Sequence, residues 1–209
     1  MKKILLFSLM IVGLTSYAQN AKSTQIEFNK VKVPGVAITL AGYDVDFVKN
    51  ALQFRLEKVA GLKGTNTKNF RSYPAQVLHE LGFVKYDIHT LVDKGTKKDQ
   101  FITISLLVSK GMDNFANPAD DAELTQKMKD FLDYFATEYL AEYDTKQKVA
   151  KLTNEFNALS KETDKLSKDL EKLRKDYSKL GDQINKKDAE YSKKNEALMK
   201  TRSELERLK

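Results

Sequence analysis

The chain has no cysteine, no tryptophan and only two histidines among its 209 residues. The absence of cysteine excludes disulfide bonds, thiolate catalysis and cysteine-ligated zinc. His79 and His89 are the only imidazoles available for acid–base chemistry near neutral pH. A metal site that combines them with Glu80 or Asp87 matches no established ligand spacing. We therefore expect no catalytic residue, no cofactor and no metal site, and we expect that the protein is not an enzyme.

Motifs that indicate a particular reaction or ligand are also missing. There is no glycine-rich phosphate loop, no Gly-x-Ser-x-Gly elbow and no His-Glu-x-x-His helix. The acidic stretch "DNFANPADD", residues 113–121, lacks the alternating ligand spacing of a calcium loop. Its last two residues, Asp120 and Asp121, are expected to cap a helix instead. The sequence names no substrate.

Helix-breaking residues are confined to the first part of the chain. All three prolines and eight of the nine glycines lie at or before Pro118, and only Gly181 follows. The change predicts a folded domain followed by a long helix. The balance of charge also changes along the chain. Residues 145–209 carry 18 Lys and Arg against 12 Asp and Glu, whereas residues 19–144 carry 16 against 17. We expect a globular domain over residues 19–144 and a helix over residues 145–209.

The N-terminus has the pattern of a secretory signal peptide. Lys2 and Lys3 precede an apolar run from Ile4 to Leu14, and "SYA" at residues 16–18 offers small residues for cleavage before Gln19. The run is too short to cross a bilayer, which takes about 20 residues as a helix. We expect residues 1–18 to be removed and the protein to be exported, periplasmic or secreted, with no membrane span after cleavage.

The pattern of residues 19–144 predicts an α+β domain. Alternating apolar residues from Ile26 to Leu40 indicate one bent strand or a hairpin broken at "PG", and Asp44 is placed to cap a helix that presents Val48, Leu52, Leu56 and Val59. Phe70 to Leu78 reads as a strand, with a helical alternative for "AQVLHEL". The stretches "FVKYDIHTLVD" and "QFITISLLV" predict an antiparallel hairpin before the next helix. We expect a small antiparallel sheet with two helices on one face.

A heptad repeat runs from Val149 to Leu208 without a slip. Of its 18 a and d positions 14 are apolar when tyrosine is counted, which is typical of a coiled coil roughly 90 Å long. A helix of this kind needs a partner to cover its stripe. We expect a homo-oligomer, dimer or trimer, whose seam is formed by Leu152, Phe156, Leu159, Leu166, Leu170, Leu173, Tyr177, Leu180 and Ile184. Lys187 and Lys194 at successive d positions are expected to weaken the distal seam.

The many lysines of the helix lie beside the seam rather than in a separate basic patch. Lysines recur at position c, and five of them have a carboxylate four residues later at position g. Each such pair contributes a few tenths of a kcal/mol to a helix, which favours a solvated, charge-balanced flank. Contact with lipid headgroups, cell-wall polymers or acidic proteins is the alternative. Nucleic acid is not expected, because the aromatic residues lie in the seam and leave no stacking platform among the lysines.

The segment "LLVSKGMDNF", Leu106 to Phe115, resembles one in uncharacterised exported bacterial proteins that join a small α+β domain to a C-terminal coiled coil. The chain is more loosely similar to the periplasmic Skp-type chaperones, which are also exported, basic and rich in coiled coil. In those proteins the coil is an arm inserted within the chain, whereas here it follows the domain.

Three functions are consistent with these features. The first is a non-enzymatic envelope protein that self-associates through its coiled coil and presents its globular domain to an envelope protein. The second, implied by the Skp-type likeness, is a holdase-like chaperone or adaptor that binds client proteins. The third is a globular domain that binds or hydrolyses a small molecule, which requires a concave pocket with convergent polar groups.

Overall fold

The computed structural model describes residues 20–95, 101–111 and 114–208. Contacts divide the chain into two units, Met1–Lys146 and Gln147–Lys209. We call the first unit the head domain and the second the tail, and each is described by itself. The predicted signal peptide, residues 1–18, lies outside the described residues.

The head domain begins with a hairpin whose strands are β1 (Lys22–Phe28) and β2 (Val31–Ala41). Asn29 and Lys30 form its turn with positive φ angles of 52° and 70°. Two successive residues of this kind give a turn whose twist matches the twist of antiparallel strands. The predicted break at Pro34–Gly35 is therefore wrong, because both residues lie within β2.

Gly35 is required for close packing rather than for turning the chain. A Cβ atom at this position would lie 2.6 Å from Ile26 Cδ1 and 3.0 Å from the carbonyl oxygen of Leu106, and it would also overlap Leu107. The missing side chain thus lets β2 lie against buried side chains of both neighbouring strands.

The remaining strands complete a six-stranded antiparallel sheet in the order β1-β2-β6-β5-β4-β3. The predicted hairpin is confirmed, with β5 paired to β6 along its length. Residues 75–76 belong to the strand and residues 79–81 form a turn, so the helical alternative for "AQVLHEL" is wrong. The strand bounds are β3 (Thr65–Thr67), β4 (Phe70–Gln76), β5 (Tyr86–Lys94) and β6 (Phe101–Ser109).

Three α-helices follow local signals in the sequence. Helix α1 (Val45–Phe54) begins at Asp44, whose side chain accepts a hydrogen bond from the Phe47 N–H at 3.0 Å, as predicted. Helix α2 (Ala122–Tyr134) begins after Asp121, but the carboxylate of Asp121 pairs with Lys110 and does not cap the helix. Helix α3 spans Leu140–Arg207.

A π-helical turn follows each of the first two helices. These turns are Arg55–Val59 after α1 and Phe135–Tyr139 after α2. The guanidinium carbon of Arg55 lies 5.6 Å from the centre of the Tyr139 ring, so the two turns contact each other. Val59 is exposed, and its predicted place on the buried face of the first helix is wrong.

The main core lies between one face of the sheet and both α1 and α2. Ile38, Ile88 and Ile104 from three strands share it with Leu52 and Met128 from the two helices. The predicted α+β class, with two helices on one face of an antiparallel sheet, is confirmed. The other face carries a smaller buried cluster of Ile26, Phe28, Phe70, Leu107 and Phe115.

Candidate functional site

The tail presents its predicted seam as a continuous apolar stripe. The nine seam side chains share one property, an exposed fraction between 54% and 80%, and they are Leu152, Phe156, Leu159, Leu166, Leu170, Leu173, Tyr177, Leu180 and Ile184. Because heptad positions a and d lie on one side of a helix, these side chains form a single row. An apolar row of this length leaves a large surface in contact with water.

Ion pairs along α3 stabilise the helix itself rather than build a basic site. Lys151 and Glu155 form one of the predicted pairs from position c to position g, with 4.0 Å between nitrogen and oxygen. Lys175 pairs with Glu171 at 2.8 Å, which joins positions f and b on the side away from the seam. All four side chains are exposed, so each pair contributes a few tenths of a kcal/mol.

The distal part of the seam differs in charge from the proximal part. Lys187, at a d position, donates a hydrogen bond to Glu190 at 2.8 Å within the same helix. Lys194 occupies the next d position. The apolar stripe is therefore interrupted after Ile184 by two ammonium groups, which prefer water to a buried interface.

The head domain contains a half-buried polar network that sequence reasoning missed. Arg71 donates from Nε to Glu57 Oε1 at 2.7 Å and from Nη1 to Asn66 Oδ1 at 2.9 Å. The Tyr73 hydroxyl lies 3.5 Å from the same Glu57 oxygen, and Gln53 donates to the other oxygen at 3.1 Å. These residues come from α1, the π turn after it and the β3–β4 hairpin. The signal that the sequence offers for this network is the opposite charge of Glu57 and Arg71, which lie on separate elements.

Burial and charge change the acidity of two of these groups. Burial, followed by the negative charge of Glu57, raises the pKa of Tyr73 to about 12. Burial acts to lower the pKa of Arg71, but hydrogen bonding and attraction to Glu57 outweigh it and raise that pKa. Both groups thus keep their protons at neutral pH, Tyr73 as a neutral phenol and Arg71 as a cation.

A cavity of about 170 Å³ lies beside this network, between α1 and the strands β3 to β5. Lys49, Lys68 and Arg71 contribute three cationic side chains to its lining, and the hydroxyl-bearing residues Tyr73 and Thr90 also line it. The Lys68 ammonium group donates to Asn29 Oδ1 at 3.0 Å. This lining has the chemistry to hold a small anion through ionic hydrogen bonds.

The two histidines lie in separate places. His89 is half-buried, with its Nδ1 atom 2.8 Å from Ser72 Oγ and its ring 4.6 Å from the ring of Phe28. His79 lies on the turn after β4, with its ring 5.5 Å from that of Phe83. Within residues 20–95, 101–111 and 114–208, no three metal-ligating side chains come together.

Comparisons of the chain with protein-family models, with curated proteins and with solved structures found no match. The resemblance to exported bacterial proteins and to Skp-type chaperones therefore stays a prediction. What the structure shows is the coarser arrangement, a small antiparallel sheet followed by a long C-terminal helix. In the part of the chain that the structure describes, no helix has both the length and the apolar character to cross a bilayer.

Proposed function

We propose that this protein is a non-enzymatic, exported envelope protein that self-associates through the seam of α3 and presents its head domain to another protein. The observation that carries the proposal is the exposure of the nine seam side chains. Export is supported by the pattern of residues 1–18, and the absence of cysteine suits an exported chain whose assembly does not depend on disulfide bonds.

Association of identical chains is the simplest way to cover this stripe. A leucine that is more than half exposed gains about 1–2 kcal/mol when a partner covers it. The seam supplies an apolar residue every three or four positions except at Thr163, so a gain of this kind repeats along the helix. Since every copy carries the same stripe in the same heptad phase, a second copy meets the requirement without a further component.

Sedimentation velocity of the chain from Gln19 tests the proposal. We expect an oligomer at tens of micromolar, and we expect Leu166→Asp combined with Leu173→Asp to give a monomer, because four or more carboxylates would then face one another in the seam. Asn157→Asp with Ser178→Asp is the matched control, since it makes the same change of charge at two b positions outside the seam. A monomeric parent chain, or an unchanged mass after the seam substitutions, would contradict self-association.

The head cavity supports a second candidate function, the binding of a small anionic molecule. Its three cationic lining residues are the observation in favour. Thermal unfolding of the full chain with citrate or inorganic phosphate tests it, with Lys49→Ala as the variant and Lys58→Ala, outside the cavity lining, as the control. Stabilisation that Lys49→Ala removes supports binding, whereas equal melting temperatures with and without these anions argue against it.

A further inference from the structure

We propose that the tails associate in parallel and in register, with Val149–Ile184 as the paired segment. Each residue of one helix then lies beside the same residue of the second copy. The inference rests on the self-association proposed above and adds its direction and extent. It is argued from the charges on the two rows that flank the seam, heptad positions e and g, and from the position of the seam lysines.

The two flanking rows carry different charges. Row g is acidic at six of its eight positions, and its members are Glu155, Glu162, Asp169, Asp176, Gln183, Glu190, Ala197 and Glu204. Row e is mostly uncharged, and its first five members are Thr153, Ser160, Ser167, Arg174 and Gly181. The charged side chains of both rows are exposed on the helix, and Glu190 pairs with the seam residue Lys187. Flanking rows of this kind set the orientation of coiled-coil partners.

A parallel pair brings row g against row e of the other helix, five residues further along the chain. Glu155 and Glu162 then lie beside serines, and Asp176 lies beside a glycine. Asp169 lies beside the partner's Arg174, and symmetry makes this attractive contact twice. Over the paired segment the parallel arrangement places no two like charges together.

An antiparallel pair brings row g against row g. If the apolar segments Val149–Leu180 overlap, Glu155 lies beside Asp176 and Glu162 beside Asp169, and symmetry repeats both contacts. Four repulsive contacts then replace two attractive ones. Each contact changes an association constant by roughly two-fold, so the six together favour the parallel arrangement by tens of fold.

An antiparallel pair that overlaps over the whole tail meets a different obstacle. Lys187 would then face Leu170 of the other helix, and Lys194 would face Thr163, twice by symmetry. Four ammonium groups would enter the apolar half of the seam, where their solvation is lost. In the parallel pair the lysines meet only their own counterparts, beyond Ile184. They keep contact with water there, and Lys187 keeps its ion pair with Glu190.

The direction has a consequence for function. In a parallel pair both copies of Gln147, where the tail begins, lie at the same end of the paired segment. Both head domains therefore join the assembly at that end. A partner that offers repeated binding sites on one surface could engage them together, which an antiparallel assembly would hinder.

Disulfide cross-linking tests the direction, and the chain is suited to it because it has no cysteine of its own. Full-length chains carrying only Leu152→Cys or only Tyr177→Cys are oxidised separately and then as a mixture. The parallel arrangement predicts that each variant cross-links to itself, roughly ten-fold above an exposed control, Ser178→Cys, because a paired thiol sees a high effective concentration of its counterpart. Mass spectrometry of the mixture should then show few mixed disulfides, because positions 152 and 177 of the two helices lie far apart in a parallel pair.

Other outcomes separate the two proposals. Mixed disulfides between Leu152→Cys and Tyr177→Cys chains, without self-linking, overturn the direction and indicate the overlap of apolar segments in opposite directions. An oligomer by sedimentation that forms none of these disulfides also overturns it. An unsubstituted chain that sediments as a monomer refutes the proposed self-association itself.

Discussion

Raising the pH should weaken the head domain through Tyr73. This side chain is fully buried, and its pKa is raised to about 12 from the ordinary value of 10.0. Between these two values the folded chain holds a proton that the unfolded chain releases. Stability from Tyr73 is therefore complete below pH 10 and is lost as the pH rises toward 12. The full loss corresponds to roughly 3 kcal/mol.

The variant Tyr73→Phe isolates this effect from the titration of other groups. Below pH 10 it should be less stable than the parent by about 1 kcal/mol, because it loses the hydroxyl group that lies 3.5 Å from Glu57 Oε1 and interacts with Arg71. As the pH approaches 12, the parent weakens further and the variant becomes the more stable of the two. Tyr177→Phe is the control, since this residue lies in the tail, outside the head domain, and its side chain is 80% exposed.

Urea unfolding followed by the methyl NMR signal of Ile104 measures the head domain alone, because Ile104 is fully buried in the sheet. The free energies of parent and variant are compared on both sides of pH 10. A difference that stays constant across the range would refute the reasoning, because it would mean that Tyr73 ionises as readily in the folded chain as in the unfolded one. Direct titration of phenolate absorbance should show one tyrosine fewer in Tyr73→Phe near pH 12.

Three further predictions concern substitutions at one or two positions. Gly35→Ala should destabilise the head domain by about 1–3 kcal/mol in a thermal melt, because the new methyl group would lie 2.6 Å from Ile26 Cδ1. An unchanged melting temperature would show that the sheet can relax at this position. Asp44→Ala should cost about 1 kcal/mol in urea unfolding through loss of the helix cap, and a neutral result would mean that water replaces it. Lys187→Leu with Lys194→Leu should lower the dissociation constant of self-association about ten-fold or more, as measured by sedimentation of a dilution series. An unchanged dissociation constant would place both residues beyond any interface.

The features predicted correctly depend on local rules. The cap at Asp44 and the buried side chains of Val48 and Leu52 follow from helix periodicity and capping, which act over a few residues. The β5–β6 hairpin follows from alternation and a polar turn. The exposed apolar stripe of the tail likewise follows from heptad spacing, whereas its role as an oligomer seam stays a prediction.

The errors arose where distant residues compete for one role. Asp121 stands at a helix start, but Lys110 from the end of β6 takes its carboxylate. The turn at Asn29–Lys30 uses a lysine with positive φ, which local propensity disfavours, whereas Gly35 lies inside β2, where a Cβ atom would meet the neighbouring strands. Contacts that join separate elements decided both positions, and no pattern along the chain carries them.

The polar network and its cavity escaped prediction for the same reason. Glu57 lies on the turn after α1, whereas Arg71 and Tyr73 lie on β4, and they meet only because α1 packs over the sheet. Gly64 permits that meeting, since a Cβ atom there would lie 2.5 Å from Tyr73 Cε1 and 2.8 Å from both Arg71 Nε and Glu57 Oε1. In the sequence this glycine looks like any loop residue.

The head domain and the tail differ in how completely each satisfies its own side chains. The head domain has a buried cluster on each face of its sheet, and among the described residues only Ser23 Oγ and Thr125 Oγ1 are buried polar side-chain atoms without a hydrogen-bond partner. The tail leaves its whole seam in water, so association has most to gain there. Substitutions in the seam should consequently abolish assembly and leave the head domain folded. With such a variant, the affinity of a single head domain for a partner can be measured separately from the contribution of assembly.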